Sequence, residues 1–367
     1  MNNVLYIQGK DLKGNKRTLE KTRPYQLELF QYLLPDQERY SNTVELYDAI
    51  PRYFASTKRM AEMRQGGKFL ETLQREFRFR DTNYQLEIRP ARIKGKEGKD
   101  IEYYPSEREQ FVEEALWKIA HDKLRGCYLN DLVSVEFTLY ELRQELAKRG
   151  HSIHHSALID ALSILNRCGI SLKSSDGKTV FNSPIFPQLL ISSRADWLEN
   201  PKAAKCYVQF NLLATQSLKQ LSYRLFDYAK FMTLSSILSR WLFKRLSHNF
   251  IQAKAGVSFT IKASTIIRDS GLIDNAELRF KLRAIDTALA ELKQQRVLYQ
   301  VAKERINDPH DRRKTIDAIY QLMPTHEFAQ QVIMGNKRVR ILQDRAVEYG
   351  KVKTVTTNHT AALEIGD

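Results

Sequence analysis

The sequence predicts an α+β protein in which one strand-helix-helix-hairpin module is used twice, and three observations predict it. Val135, Phe137, Thr138 and Leu139 recur as Val257, Phe259, Thr260 and Ile261, so one apolar alternation with a hydroxyl at a fixed place occurs twice. Each group leads into a helix bearing Ala-Leu-x-x-Leu: Ala161, Leu162 and Leu165 in the first copy, Ala288, Leu289 and Leu292 in the second. An aliphatic strand start then follows, at Ile170 and at Val297. A short strand, two helices and a two-stranded hairpin make a winged helix, a helix-turn-helix variant that presents its second helix to a DNA groove. The chain is therefore read as two tandem winged-helix domains, residues 101–215 and 216–335, with a flexible N-terminal region 1–100 and a C-terminal helix and tail 336–367.

Residues 1–100 read as loosely built because Lys, Arg, Gln, Glu and Asn dominate, with Gly66-Gly67 and Lys94 to Gly98 as flexible breaks and no compact core expected before Ile50. Alternation in Tyr84 to Arg89 puts Tyr84, Leu86 and Ile88 on one face, as in an edge strand added to the first domain. From Pro105 the spacing turns helical: Phe111, Ala115, Leu116, Ile119 and Leu124 follow a Ser106-to-Glu109 capping box. Thr138, with Glu141 three places on, opens a helix over Leu139 to Lys148, which Gly150 closes. The next helix runs from about His154 to Arg167, and Ser175-Asp176-Gly177 turns a hairpin that forms the first wing.

A strand at Cys206 to Asn211 and a linker helix near Gln220 to Phe231 lead into the second copy. Its first helix is Leu234 to Leu246, with Ile237, Leu238, Trp241 and Leu242 inward. A short helix at Ala263 to Arg268, Gly271 and the Asp274-Asn275 turn precede a long helix from Ala276 to Gln295. Val297 to Val301 and Ile316 to Leu322 form the second wing, joined by a charged loop at Asn307 to Lys314, and Thr325 to Phe328 start a C-terminal helix.

Charge points to the partner. With 58 Lys+Arg against 43 Asp+Glu the chain carries +15, so an acidic polymer is the first ligand to consider. The 367 residues suffice for two or three domains, and 43% hydrophobic content can furnish their cores. Cys127, Cys168 and Cys206 are odd in number and scattered, which supports neither a disulfide framework nor a zinc knuckle and fits a reducing compartment. No basic-then-apolar leader opens the sequence and no apolar run reaches the 18 or so residues of a membrane span, so a soluble, cytoplasmic protein is expected.

A recognition helix needs apolar residues on one face and long donors on the other. In the second copy, with Leu282, Ile285, Leu289 and Leu292 inward, Arg279, Lys281 and Arg283 fall near the helix start and are the candidate groove readers; the bland alternative is solvated helix charge. Arg312, Arg313 and Lys314, after Asp311, would reach phosphates from the second wing tip. The first copy offers Lys148 and Arg149, the polar run His151, Ser152, His154 and His155 at a helix start, and Lys173 and Lys178 beside the first wing turn. His151 and His155 stand four apart, but no Glu base or further ligand accompanies them, so no metal and no cofactor is expected. Gln65 to Lys68 lacks the spacing of a phosphate loop, no Gly-x-Ser-x-Gly elbow occurs and no His-hydrophobic-His nickase motif is present, so an enzyme is not expected.

Gln26-Leu27-Glu28-Leu29-Phe30 stands apart in the polar N-terminal segment. Leu29 and Phe30 suit an apolar pocket, with the Gln26 amide orienting them, and the peptide resembles the one by which bacterial proteins dock on the DNA polymerase sliding clamp. It reads equally as an amphipathic segment packing Leu27, Phe30 and Leu34 on the domain.

Taken in order, Gln26 to Phe30, the Phe111 helix followed by Val135-Glu-Phe-Thr-Leu-Tyr-Glu-Leu142, the helix ending near Asn166, Cys206-Tyr-Val-Gln-Phe210 and the Leu234 helix resemble the TrfA-type (RepA-like) plasmid replication initiators over roughly residues 24–325. That resemblance implies binding to short direct repeats, the iterons, at an origin. It further implies opening of adjacent A·T-rich DNA, recruitment of host helicase and sliding clamp, and a homodimer through the first winged helix that is less active than the monomer. Against that pattern, no long N-terminal extension is expected, and the residues after Gly335 read as additional to the family's core. A winged-helix transcriptional repressor on an operator is the other reading of the same modules, and a DNA-partitioning scaffold a third.

Overall fold

The computed structural model describes residues 39–53, 57–64, 69–95, 97–122, 126–129, 132–177, 180–219, 223–254, 256–273 and 277–348. Of the region expected to be loose, the described part from residue 39 on is built into strands and helices. β1 (Tyr40–Val44) runs into α1 (Glu45–Ala49), then come α2 (Thr57–Met63), the hairpin of β2 (Leu73–Phe79) and β3 (Thr82–Arg89), and the hairpin of β4 (Ala91–Lys94) and β5 (Asp100–Tyr103). Val44 and Tyr47 are fully buried, so a core exists before Ile50. The polar composition misleads because these strands bury only alternate residues, such as Phe77 or Leu86 and Ile88, and leave the rest in water. The Lys94 to Gly98 stretch is the β4-β5 turn, in which Gly95 N–H donates to the Lys99 carbonyl at 2.8 Å and Gly98 takes φ +74°. Gly66-Gly67 and the Gln26 to Phe30 peptide lie outside the described residues.

The first module comprises α3 (Glu107–Asp122), β6 (Gly126–Leu129), β7 (Leu132–Thr138), α4 (Leu139–Lys148), α5 (His155–Arg167), β8 (Gly169–Ser174) and β9 (Val180–Pro184), followed by β10 (Gln188–Leu190), α6 (Arg194–Glu199), β11 (Lys205–Gln209) and α7 (Leu212–Lys219). Thr138 caps α4 as its sequence requires: its Oγ1 accepts from the Glu141 N–H and its own N–H donates to Glu141 Oε2, both at 3.1 Å. Gly150, at φ +85°, ends the helix. The wing differs from expectation. β8 and β9 do not pair with β7, whose two edges are already taken in the sheet β10-β11-β7-β6; they extend the N-terminal hairpin into a second sheet, β2-β3-β8-β9. Leu86 faces Leu172 and Ile88 faces Ile170 across it, so β3 is an interior strand.

The second module has β12 (Tyr223–Asp227), α8 (Tyr228–Thr233), α9 (Ile237–Asn249), β13 (Phe259–Lys262), α10 (Ala263–Ser270), α11 (Leu278–Gln294), β14 (Leu298–Asp308), β15 (Asp311–Pro324) and α12 (His326–Glu348). Here strand, helices and wing close into one sheet, β13-β15-β14, as a winged helix does. Two expectations are corrected. Where a linker helix is expected near Gln220 to Phe231, the described residues form a strand from Tyr223 to Asp227, because Tyr223, Leu225 and Phe226 are buried against β1 and the Asp227 carboxylate then caps α8 at the Lys230 N–H, 3.0 Å away. The C-terminal helix begins at His326 and packs on β12 through buried Phe328, Ala329 and Val332, so a boundary at 335/336 would cut one element in two.

The modules meet around α3 and α9, where charge is buried beside the shared apolar core. Glu113 accepts from Arg52 at 3.0 Å and from the Tyr47 and Tyr53 hydroxyls; Lys244 pairs with Asp48 at 2.9 Å and with Glu114; Arg240 reaches Glu107 at 3.0 Å and Gln110 at 2.7 Å. A second tie is the tip of the β2-β3 hairpin, where the Arg78 N–H donates at 3.0 Å to Asp269 of α10, itself paired with Arg245 at 2.9 Å. Polar contacts thus tie the N-terminal segment and the two modules together.

Lys244 cannot satisfy two acids equally. It holds the Asp48 carboxyl below its ordinary range, whereas burial pushes the Glu114 carboxyl from 4.5 up to about 7, and Glu114 Oε2 has no hydrogen-bond partner. A carboxyl raised in the folded state binds a proton that the unfolded chain has already released, so its contribution to stability is greatest below about 4.5 and is lost as pH rises towards 7. Glu114→Gln should remove that part of the decline. Urea unfolding of both proteins at pH 5 and pH 7.5 checks this, and identical differences between the two pH values would refute it.

Candidate nucleic-acid interface

α11 carries the clearest candidate surface. Leu282, Ile285, Ala288, Leu289 and Leu292 are buried on its inner side, so at about 100° per residue the opposite arc holds Arg279, Phe280, Arg283, Asp286 and Thr287, all exposed. Arg279 is held by Glu277 at 2.9 Å, with its guanidinium 4.5 Å from the Phe280 ring centre, while Arg283 points out from the middle of the arc. Lys281 is placed differently: it lies about 200° round the helix from Arg283, in line with buried Ala288 and Leu292 on the inner side, and is half-buried.

The β14-β15 wing rises beside this arc. Lys303 Nζ meets Asp286 at 2.7 Å and the Tyr320 hydroxyl donates to the same carboxylate at 2.8 Å, which neutralises the one acid on the arc and fixes the wing base to the helix. The expected loop at Asn307 to Lys314 is strand on both sides of a turn at Pro309-His310, and Arg312, Arg313 and Lys314 lie exposed on β15 just beyond it. Charge on both faces hid these strands, because the ladder of backbone hydrogen bonds stands with almost no apolar alternation to announce it. Lys303 and Arg305, which sequence reasoning passed over, share one face of β14, opposite Tyr320 and Ala318.

The first module offers less. β4, whose Ala91 and Ile93 are buried, packs against α5, and Arg167 donates from α5 to the Arg92 carbonyl at 3.0 Å. Only Ser156 and Arg167 of that helix are exposed. Arg149 is engaged inside the protein, by Glu145 at 3.1 Å and over the Tyr228 ring, and His151 stacks on Phe111 at 3.7 Å with Nε2 against the Met232 carbonyl at 2.7 Å. His155 is half-buried, whereas Lys148, His154 and Lys173 remain exposed, and Lys178 lies outside the described residues. The structure therefore gathers Arg279, Arg283 and the second wing on one surface and leaves the first-module candidates dispersed.

Among the described residues no group of three or more His, Cys, Asp or Glu comes together as metal ligands would, and no helix is long and apolar enough to cross a membrane. Cys168 and Cys206 are buried free thiols.

No family model matches the chain, and no curated protein matches it. Solved structures do. A crystal structure of domains 2 and 3 of RctB is 10% identical, with a TM-score of 0.46 over 77% of this chain and 99% of that one. Another of RctB domains 2-3 is 9% identical, with a TM-score of 0.41 over 77% and 98%. The Pi initiator protein in complex with iteron DNA is 14% identical, with a TM-score of 0.39 over 59% of this chain and 90% of that one.

Proposed function

We propose that the chain is a replication initiator that binds direct repeats in duplex DNA at an origin, the second winged helix reading sequence and the first adding phosphate contacts from Lys148, His154 and Lys173. The observation that carries this reading is the single cationic surface formed by the outer arc of α11 and the long wing beside it. On that surface Arg283 is placed to meet a base edge, where a guanidinium forms a paired hydrogen bond with guanine. Arg283→Ala should cost about 1–3 kcal/mol of affinity and relax preference at one base position, as a gel shift on duplexes selected from a random pool would report. Unchanged affinity and unchanged preference would remove Arg283 from the interface.

As an initiator the protein opens A·T-rich DNA beside its repeats, recruits host helicase and sliding clamp, and acts on a plasmid. A homodimer through the first winged helix would hold it in a less active form. A repressor would need only to occupy its site, so permanganate reactivity of thymines next to a bound repeat array separates the two, and bound arrays without reactive thymines favour the repressor. The clamp contact falls to Gln26, Leu27, Leu29 and Phe30. Replacing Leu29 and Phe30 together by Ala should abolish capture on immobilised sliding clamp and leave DNA binding intact; retained capture would reject the peptide.

A further inference from the structure

We propose that Phe280 reads a thymine in the major groove through the 5-methyl group of the base, an inference that rests on the DNA-binding reading of α11. Phe280 is 47% exposed although it stands in the first turn of a helix with a well-filled inner side, and it lies about 160° round that helix from buried Leu282. Core packing therefore does not explain it. Its neighbours on the arc are cations: the Arg279 guanidinium lies 4.5 Å from its ring centre, and Arg283 follows one turn on. Thr287 completes the i, i+3, i+7 stripe from Phe280, its hydroxyl turned back to the Arg283 carbonyl at 3.0 Å and so spent within the helix.

The two arginines and the ring call for different chemistry on the same groove floor. Guanidinium groups seek guanine acceptors or phosphate oxygens, but a phenyl ring neither donates nor accepts, and the apolar feature that base pairs present in the major groove is the thymine 5-methyl. Cations on the same arc would draw the backbone close enough to press the ring on such a methyl and exclude water. Asp286, the acid of this arc, is engaged by Lys303 and Tyr320, so it does not repel that approach.

The test uses the full chain and the duplex that it selects from a random pool, resynthesised with deoxyuridine in place of thymine at one position at a time. Loss of a single buried methyl should weaken wild-type binding about fourfold at one thymine and leave the other positions unaffected. Phe280→Ala should bind the thymine and uracil duplexes alike, with Phe280→Leu keeping most of the discrimination, and thermal melting of each variant shows that it is folded. Selective binding with no methyl-sensitive position, or discrimination retained by Phe280→Ala, overturns the proposal and leaves the DNA-binding reading standing. Failure to select any duplex overturns both.

Discussion

Lys244→Ala should destabilise the folded chain by about 3–5 kcal/mol, the usual cost of removing one partner from a buried ion pair, and should be the most damaging single change outside the apolar cores. The Lys244 side chain is 7% exposed, and its ammonium stands between two carboxylates that are themselves buried, Asp48 at 2.9 Å and Glu114. Deleting it leaves two acids that must either stay charged without a cation or take up protons. The Asp48 carboxyl, held low by Lys244 and Arg52 and by a hydrogen bond from Thr43, cannot move without also loosening the start of α1, where its Oδ2 accepts from the Val44 N–H at 2.7 Å. A second change, Glu114→Gln in the Lys244→Ala background, should recover part of the loss, because it removes one of the stranded charges. Denaturant midpoints for the single and double variants measure this. A loss below about 1 kcal/mol for Lys244→Ala, the range of exposed pairs, would mean that water reaches the junction and that the pairing is dispensable.

The consequence extends beyond stability. Asp48 belongs to α1, Glu114 to α3 and Lys244 to α9, so the lysine joins the N-terminal segment and both modules at one point. Because one continuous apolar core runs through the N-terminal segment and both modules, weakening this point should lower the stability of the whole chain in a single cooperative transition.

Much of this architecture was legible in the sequence, and what was not has physical causes. The capped helix after Thr138, the hairpin around Asp176-Gly177 and the buried stripe of α11 follow from local rules of period and capping, and each stands where those rules put it, whereas the repeat closes into one sheet only in its second copy. The junction was hidden because Glu113, Glu114, Arg240 and Lys244 look like the solvated sides of amphipathic helices; only the partner brought by the other helix makes burial affordable. The packing of β4 on α5 was hidden for a related reason. Ala91 and Ile93 are an ordinary alternation in a polar stretch, and nothing local says that the strand bearing them packs against a helix more than sixty residues on. Of the candidate surface, Arg279 and Arg283 were readable from helical period, whereas Lys281 fails by that same period once the inner face is fixed by Leu282 and Ile285.

Replacing Arg305, Arg312, Arg313 and Lys314 together by Ala should flatten the salt dependence of DNA binding without changing which duplex is preferred. Each cation that meets a phosphate releases condensed counterions and contributes about −0.9 to the slope of log affinity against log salt, so losing four would reduce its magnitude by up to about 3.6. Geometry puts them in reach of the backbone: Arg305 lies on the face of the wing that carries Lys303 and Tyr320 towards α11, and the other three follow the turn at Pro309-His310, the far end of a hairpin that projects from the body. Phosphates carry no base identity, so selection from a random pool should return the same consensus for the variant as for the wild type, at lower affinity. Arg283→Ala should do the reverse, altering the consensus at one position with a smaller change in slope. The hairpin itself should survive, because its register is set by Leu298, Val301, Tyr320 and Leu322 at the base and not by the charged tip. An unchanged slope would place the wing away from the duplex, whereas a shifted consensus would make it a reader of bases and transfer to β15 part of the recognition assigned to α11.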